Sequence, residues 1–272
     1  MSRVETRKPF AKKSLGQNFL IDPNYIQKIV DALKIESNET VIEIGPGRGA
    51  LTERLVDTTS NVIALELDRN LVPVLREKFA TRSNLQVIET DALGFDFATL
   101  VSGNQKLKLV ANLPYYISTA ILQRLIEQRN AFSAMVLMFQ REVVDRITAA
   151  PGDSERGFLT VLAEAYLQVN RLFDVPPSAF RPIPKVWSSV VHITPKAISI
   201  QSEEAFRGLV SRSFLQKRKT ILNNLKNHYP NAAEMLATSS LDPKRRPETL
   251  SLEDWLRLAD VVERPSSDAK NG

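Results

Sequence analysis

The sequence predicts a doubly wound α/β sheet followed by a small C-terminal all-helical domain. Three observations carry this. From residue 23 to about 150, short branched apolar runs alternate with stretches of helical spacing, the pattern of parallel strands joined by crossover helices. Near residues 176–195 the texture changes to proline-rich loops around one further apolar run, and from Glu203 onward the spacing is helical only.

Taken in order, Asp22-Pro23 has the form of an N-cap and first-turn proline for a helix through Leu33. The runs "TVIEIG", "NVIALEL", "NLQVIE", "KLKLVAN" and "AMVLMF" are the successive strands, with "GALTERLVD" as the helix after the first and Ser118 as the N-cap of the helix after the fourth. Pro176, Pro177, Pro182, Pro184 and Pro195 surround the last strand candidate, "VWSSVVHI". The helical pattern "EEAFRGLVSRSFLQKRKTILNNLK" and the shorter "SLEDWLRLADVV" follow. A boundary near 197 divides the chain into residues 1–197, with a basic N-terminal arm, and residues 198–272, helical and basic with a disordered tail.

Composition narrows the chemistry. A chain of 272 residues that is 43% hydrophobic can bury a sizeable core. No run approaches the roughly 18 apolar residues a membrane span needs, so a cytoplasmic protein without a membrane partner is expected. The absence of cysteine removes disulfides, thiolate nucleophiles and cysteine-held metals, and His192 and His228 are the only imidazoles, so no metal site is expected. The net charge of +5 is clustered: Arg3, Arg7, Lys8, Lys12 and Lys13 stand near the start, and Arg207, Arg212, Lys217, Arg218, Lys219 and Lys226 fall in a stretch without an acid. Two separated basic patches suit a phosphate backbone, while either alone is also what a solvated face looks like.

The ends of the strands carry the candidate site. "VIEIGPGRGALT" runs from a strand through Gly45, Gly47 and Gly49 into a helix, a turn that lets a ligand approach bare backbone. The spacing G-x-G-x-G is looser than the dinucleotide fingerprint, and a ligand-free turn explains it equally well by itself. The second strand ends at Glu66, 21 residues after Gly45, where an acid accepts from both ribose hydroxyls of a nucleoside. The third delivers Asp91, placed to accept from an adenine amino group, although a lone Asp there is more often a cap. Together the three strand ends describe a nucleoside pocket.

The fourth strand ends in Asn112-Leu113-Pro114-Tyr115. This tetrapeptide suits attack by a planar exocyclic amine on an electrophilic methyl group. An adenine amine is a poor nucleophile because its lone pair is delocalised into the ring. Hydrogen bonds to the Asn112 side-chain oxygen and the Leu113 carbonyl favour a pyramidal nitrogen and stabilise its developing charge, with no need for a strong base. Pro114 fixes the turn, Tyr115 stacks on the extruded base, and Phe180 is the candidate for its opposite face. Tyr116 has no such assignment.

Together "KKSLGQNFL", "VIEIGPGRGALT", "ALELD", "ETDAL", "NLPYYIST", "FQREVVDRI" and "FRPIPKV" resemble the ribosomal RNA adenine dimethyltransferases, in particular the bacterial small-subunit branch, from about residue 10 to 225. The resemblance implies a Rossmann-like methyltransferase sheet with S-adenosylmethionine as cofactor. It implies as substrate two adjacent adenosines in the 3′-terminal hairpin loop of 16S rRNA, each dimethylated, during assembly of the 30S particle, by an enzyme acting as a monomer. It also implies that Asn18, Leu20, Gly45, Glu66, Asp91 and Asn112 contact the cofactor, with Gln17 and Gly47 as lesser members, and Lys12 and Lys13 beside them are candidates to meet RNA, as the clustered charge makes Lys217, Arg218 and Lys219. Without it, "SLGQNFLID" reads as a linker before a helix.

Two positions depart from the family pattern. Arg156-Gly157 stands where a Tyr-Gly pair is usual, and Trp187 stands where an acid is common. Three other readings compete: a large-subunit RNA adenine methyltransferase of the antibiotic-resistance type, a nucleotide-dependent dehydrogenase, and an RNA-binding assembly factor. The dehydrogenase would want G-x-G-x-x-G and a hydride-transfer partner, which the sequence lacks.

Overall fold

The computed structural model describes residues 17–262; Lys12, Lys13 and the C-terminal tail from 263 lie outside the described residues. The strands are β1 (Phe19–Leu20), β2 (Thr40–Ile44), β3 (Asn61–Glu66), β4 (Leu85–Glu89), β5 (Leu107–Asn112), β6 (Phe132–Gln140), β7 (Leu167–Val175), β8 (Phe180–Arg181) and β9 (Ser188–Pro195). The helices are α1 (Pro23–Ala32), α2 (Thr52–Leu55), α3 (Leu71–Lys78), α4 (Ser118–Glu127), α5 (Arg141–Ile147), α6 (Phe158–Tyr166), α7 (Glu203–Ser213), α8 (Ile221–Leu225), α9 (Ala232–Thr238) and α10 (Leu252–Val262).

Seven strands form one sheet in the order β4-β3-β2-β5-β6-β9-β7, and β1 pairs with β8 beside it. The five runs expected as strands are β2 to β6, and every neighbouring pair among them is parallel. The branched interiors of β2, β3 and β5 are nearly all buried, as strands covered on both faces require. From β2 the chain moves outward to β3 and β4, then returns to β5 and moves the other way to β6. The order therefore reverses between β2 and β5, and a crevice opens at their carboxyl ends.

The final strand expected in "VWSSVVHI" is β9, and it runs antiparallel to β6, with Gln140 opposite Ser188. Strand β7 was not expected from the sequence. It is the sheet's edge, and Gln168, Asn170, Arg171 and Leu172 along it are exposed or only partly covered, so it lacks the continuous apolar run that marks the buried strands.

Several helix ends follow the sequence. Asp22 caps α1 by accepting from the Asn24 N–H at 2.9 Å, with Pro23 in the first turn. Ser118 does not cap α4: it is the first helical residue, and its hydroxyl donates to the Tyr115 carbonyl at 3.0 Å, holding the preceding turn instead. The helix expected over "GALTERLVD" shortens to α2, with turns on either side.

The chain clusters into two compact units and passes between them three times, the last time beside the boundary expected at 197. Residues 145–168 group with the described residues from 196 onward, while residues 169–195 group with the sheet. The reason lies in α6, where Leu159, Val161, Leu162, Ala163, Ala165 and Tyr166 are buried around the whole circumference, so it needs helical neighbours and packs on α7 and α10. Within that unit Tyr166 meets Phe206 edge-on at 6.1 Å, and Phe214 lies 5.7 Å from Trp255. Arg156 is buried there, donating to the Ala149 carbonyl at 2.9 Å and pairing with Glu164, so this departure from the family pattern is a packing element of the helical unit.

Trp255 is fully buried, and its indole N–H has no hydrogen-bond partner. Trp255→Ala is expected to cost the helical unit about 3–5 kcal/mol in urea unfolding. Trp255→Phe is expected to cost about 1 kcal/mol or less, because it also removes an unsatisfied buried donor.

Candidate active site

At the strand reversal lies a cavity of about 620 Å³. Its floor is the turn after β2, where Gly45 and Gly47 take φ of +68° and +59°, values that L side chains rarely adopt. A Cβ on Gly47 would stand 3.0 Å from the Phe19 ring, while one on Gly45 would meet nothing within 4 Å, so Gly45 presents bare backbone to open space.

The wall adjoining this floor is Glu66 at the end of β3. One carboxylate oxygen accepts from the Gly47 N–H at 3.0 Å, the other from the Asp68 N–H at 2.8 Å. Burial raises the Glu66 pKa, and these main-chain donors oppose the rise. Asp68 in turn accepts from the Gln17 side chain at 3.2 Å, which ties the N-terminal segment to this wall.

That segment is a strand rather than the linker the residues by themselves suggested. Phe19 and Leu20 of β1 pair with Arg181 and Phe180 of β8, which carries Gln17, Asn18 and Leu20 onto the cavity. Asn112, at the end of β5, donates through Nδ2 to the Asn18 carbonyl at 3.2 Å. This bond fixes the carboxamide and leaves Oδ1 as the atom for an incoming donor. Leu113 and Pro114 continue the lining. Tyr115 completes it with a half-buried ring whose hydroxyl lies 3.0 Å from the Ser188 hydroxyl.

Ten of the expected site residues thus share one cavity: Gln17, Asn18, Leu20, Gly45, Gly47, Glu66, Asn112, Leu113, Pro114 and Tyr115. Two do not. Asp91 is exposed at the end of β4, on the far side of β3 from β2, and accepts from the Leu93 N–H at 2.9 Å, which is the capping alternative. Phe180 is 1% exposed, and its ring belongs to the hydrophobic core, so no face is open to stack on a base. The sequence named it for its place in a proline-rich loop, but pairing of β8 with β1 pulls it inward.

Lys217, Arg218 and Lys219 are exposed on the turn between α7 and α8. The buried Asn224 side chain pins this turn, accepting from the Gln216 N–H at 2.9 Å and donating to the Gln216 and Thr220 carbonyls at 3.3 Å. Trp187 is 45% exposed.

Among the cavity residues that sequence reasoning missed are Phe19, Arg48, Lys78 and Glu43. Phe19 lies beneath the Arg48 guanidinium, 4.6 Å from its carbon. Lys78 of α3 bonds Glu53 at 2.9 Å and reaches the Arg48 carbonyl at 3.4 Å, bracing the glycine turn. Glu43 is 1% exposed beside it and accepts from the Thr52 hydroxyl at 2.6 Å. Its position inside an apolar run was the one available signal, because a carboxylate there must be held by a partner.

A family model described as ribosomal RNA adenine dimethylase matches residues 10–264. The ribosomal RNA small subunit methyltransferase A of Hahella chejuensis is 42% identical over 255 residues, covering 93% of each chain. That of Anoxybacillus flavithermus is 40% identical, covering 92% of this chain and 90% of the relative. A dimethyladenosine transferase from Plasmodium falciparum superposes with a TM-score of 0.75 at 29% identity, covering 88% of this chain and 95% of that one. The 23S rRNA methyltransferase ErmE superposes with a TM-score of 0.69 at 25% identity, covering 91% of this chain and all of its own.

Burial, reinforced by the charge of Glu66, pushes the Glu43 pKa from 4.5 up to about 7, against the Thr52 hydrogen bond. The folded protein therefore holds a proton there that the unfolded chain releases above its ordinary value, and stability falls as pH rises from 4.5 to about 7. Glu43→Gln, which can still accept from Thr52, is expected to flatten this decline. The gain above pH 7 is at most about 3 kcal/mol, read from urea unfolding as a function of pH.

Proposed function

The chain belongs to the ribosomal RNA adenine dimethylase family, and from that premise we propose that it methylates the exocyclic amines of two adjacent adenosines in the 3′-terminal hairpin loop of small-subunit rRNA. The product is N6,N6-dimethyladenosine at both positions, and the substrate is the RNA within an assembling 30S particle in the cytoplasm. The small-subunit assignment rests on relatives that are 42% and 40% identical, against 25% for the large-subunit enzyme.

One observation carries the chemistry: Asn112-Leu113-Pro114-Tyr115 lines the same cavity as the Gly45–Gly47 turn and Glu66, with the Asn112 carboxamide already fixed by Asn18. The residues present fit S-adenosylmethionine. The cavity is of a size for a cofactor, Gly45 offers open backbone, and Glu66 is a buried carboxylate held by two N–H donors with lone pairs to spare for ribose hydroxyls. When bound, this cofactor supplies an electrophilic methyl group on a sulfonium centre.

The chain's own residues prepare the amine. Tyr115 offers a half-buried ring at the cavity for the extruded adenine, and its bond to Ser188 sets the ring's position. Asn112 Oδ1 and the Leu113 carbonyl accept from the amine, turn its lone pair out of conjugation and stabilise the positive charge that grows on nitrogen. The methylated nitrogen is then acidic enough to lose its proton to water. Lys217, Arg218 and Lys219, exposed on a pinned turn, supply phosphate contacts.

The direct test incubates the protein with labelled S-adenosylmethionine and either small- or large-subunit particles lacking the modification, followed by mass spectrometry of the nucleosides. Dimethyladenosine is expected in small-subunit RNA; label confined to the large-subunit sample would overturn the assignment. Asn112→Ala is expected to lower kcat about 10²–10³-fold, the cost of one oriented acceptor, with cofactor affinity largely retained by equilibrium binding. Equal loss of both would count against the role given to Asn112. Tyr115→Phe should lose only a few-fold in turnover, and Tyr115→Ala about 10–100-fold, because the ring stacks and the hydroxyl only positions it.

A further inference from the structure

Six of the nine large apolar side chains that remain exposed among the described residues belong to the cavity, to the segment after β5 or to the loop before β9. Ile21 and Val74 line the cavity itself, and Tyr116 follows Tyr115 at 55% exposure. The loop before β9 then carries Ile183 at 60%, Val186 at 37% and Trp187 at 45%. Single exposed apolar residues need no explanation, but such a group beside a ligand cavity marks a contact surface.

The sheet register locates Trp187. Asn112 lies opposite Met138 at the carboxyl end of β5, and Gln140 lies opposite Ser188 at the start of β9. Trp187 therefore stands two strands from the Asn112–Tyr115 segment, on the order of 10 Å at a strand spacing of ~4.8 Å. Its backbone is held: its carbonyl accepts from the Arg141 N–H at 2.9 Å, and the next residue, Ser188, is fully buried and bonded to Tyr115. One short segment thus fixes both the tyrosine inside the cavity and the indole outside it. Arg141, whose main chain meets that of Trp187, and Lys185, two residues before it in the chain, are both exposed cations.

Resting on the function proposed above, we infer that Trp187 is a second stacking platform, which holds an unpaired base of the substrate loop next to the adenosine in the cavity while Arg141 and Lys185 meet the adjoining phosphates. RNA loops are recognised by unstacked bases laid on aromatic faces beside cations. An indole rim residue one or two nucleotides from the target fits that chemistry, and it bears on which adenosine of the pair enters the site. A protein partner would have no use for these cations unless its own face were acidic.

The chain has two tryptophans, and Trp255 is fully buried, so the exposed indole can be followed by fluorescence. Titrating the full chain with a synthetic RNA hairpin bearing adjacent loop adenosines is expected to quench emission in the wild type and in Trp255→Phe, and to leave Trp187→Phe unquenched. In turnover assays Trp187→Ala should raise KM for small-subunit RNA roughly tenfold, with kcat and cofactor affinity unchanged. Trp187→Phe should stay within about threefold of wild type. An unchanged KM for Trp187→Ala, or RNA binding without quenching, overturns the inference. So does a defect confined to intact particles and absent with naked RNA, which would assign the contact to a ribosomal protein. If the wild type methylates no small-subunit RNA, the functional reading fails first, and the quenching titration still decides the fate of Trp187.

Discussion

Parallel strands whose crossovers leave in opposite directions cannot both be covered at their carboxyl ends, and the gap between β2 and β5 is the constraint on which the rest of the site depends. The glycine turn, Glu66 and the Asn112–Tyr115 segment come from three different strands, yet each is the residue at which its strand leaves the sheet or the ones directly after it. They meet because adjacent parallel strands end side by side. The sheet thus supplies rigidity, and the loops supply the chemistry.

Buried charge is handled in two ways at the same cavity. Glu66 keeps two main-chain N–H donors, so its carboxylate remains a competent acceptor despite burial. Glu43, fully buried and near the charge of Glu66, is driven towards its neutral form despite the hydrogen bonds it accepts from Thr52. The same low dielectric that makes Glu43 costly strengthens the hydrogen bonds aimed at a nitrogen gaining charge. With no cysteine in the chain, the proposed catalysis uses a carboxamide and a carbonyl, groups that need no titration to act.

The helical unit follows a different logic. Its core of fully buried side chains includes Phe206, Leu209, Ile221, Leu236 and Trp255, and, while Arg156 is buried, the cations on the turn after α7 are left on the surface. The turn carrying Lys217, Arg218 and Lys219 is not loose, since Asn224 ties it at several main-chain atoms. An ordered basic turn gives up less conformational entropy on binding a polyanion than a mobile one.

What the sequence determined by itself was everything with a local signature. Branched runs gave the parallel strands, Asp22-Pro23 gave the start of α1, and Gly45, Glu66 and Asn112–Tyr115 stood out as polar or glycine breaks at strand ends. Tertiary structure decided what depends on pairing between distant segments. Nothing near Phe19 or Phe180 foretold that β1 and β8 would pair, bringing Asn18 and Leu20 to the cavity and burying the Phe180 ring. Nor could spacing place Asp91 outside the lining, assign α6 to the helical unit, or set Ser188 against Tyr115. Periodicity reports which face of an element is apolar; which other segment covers that face is fixed only when the whole chain has packed.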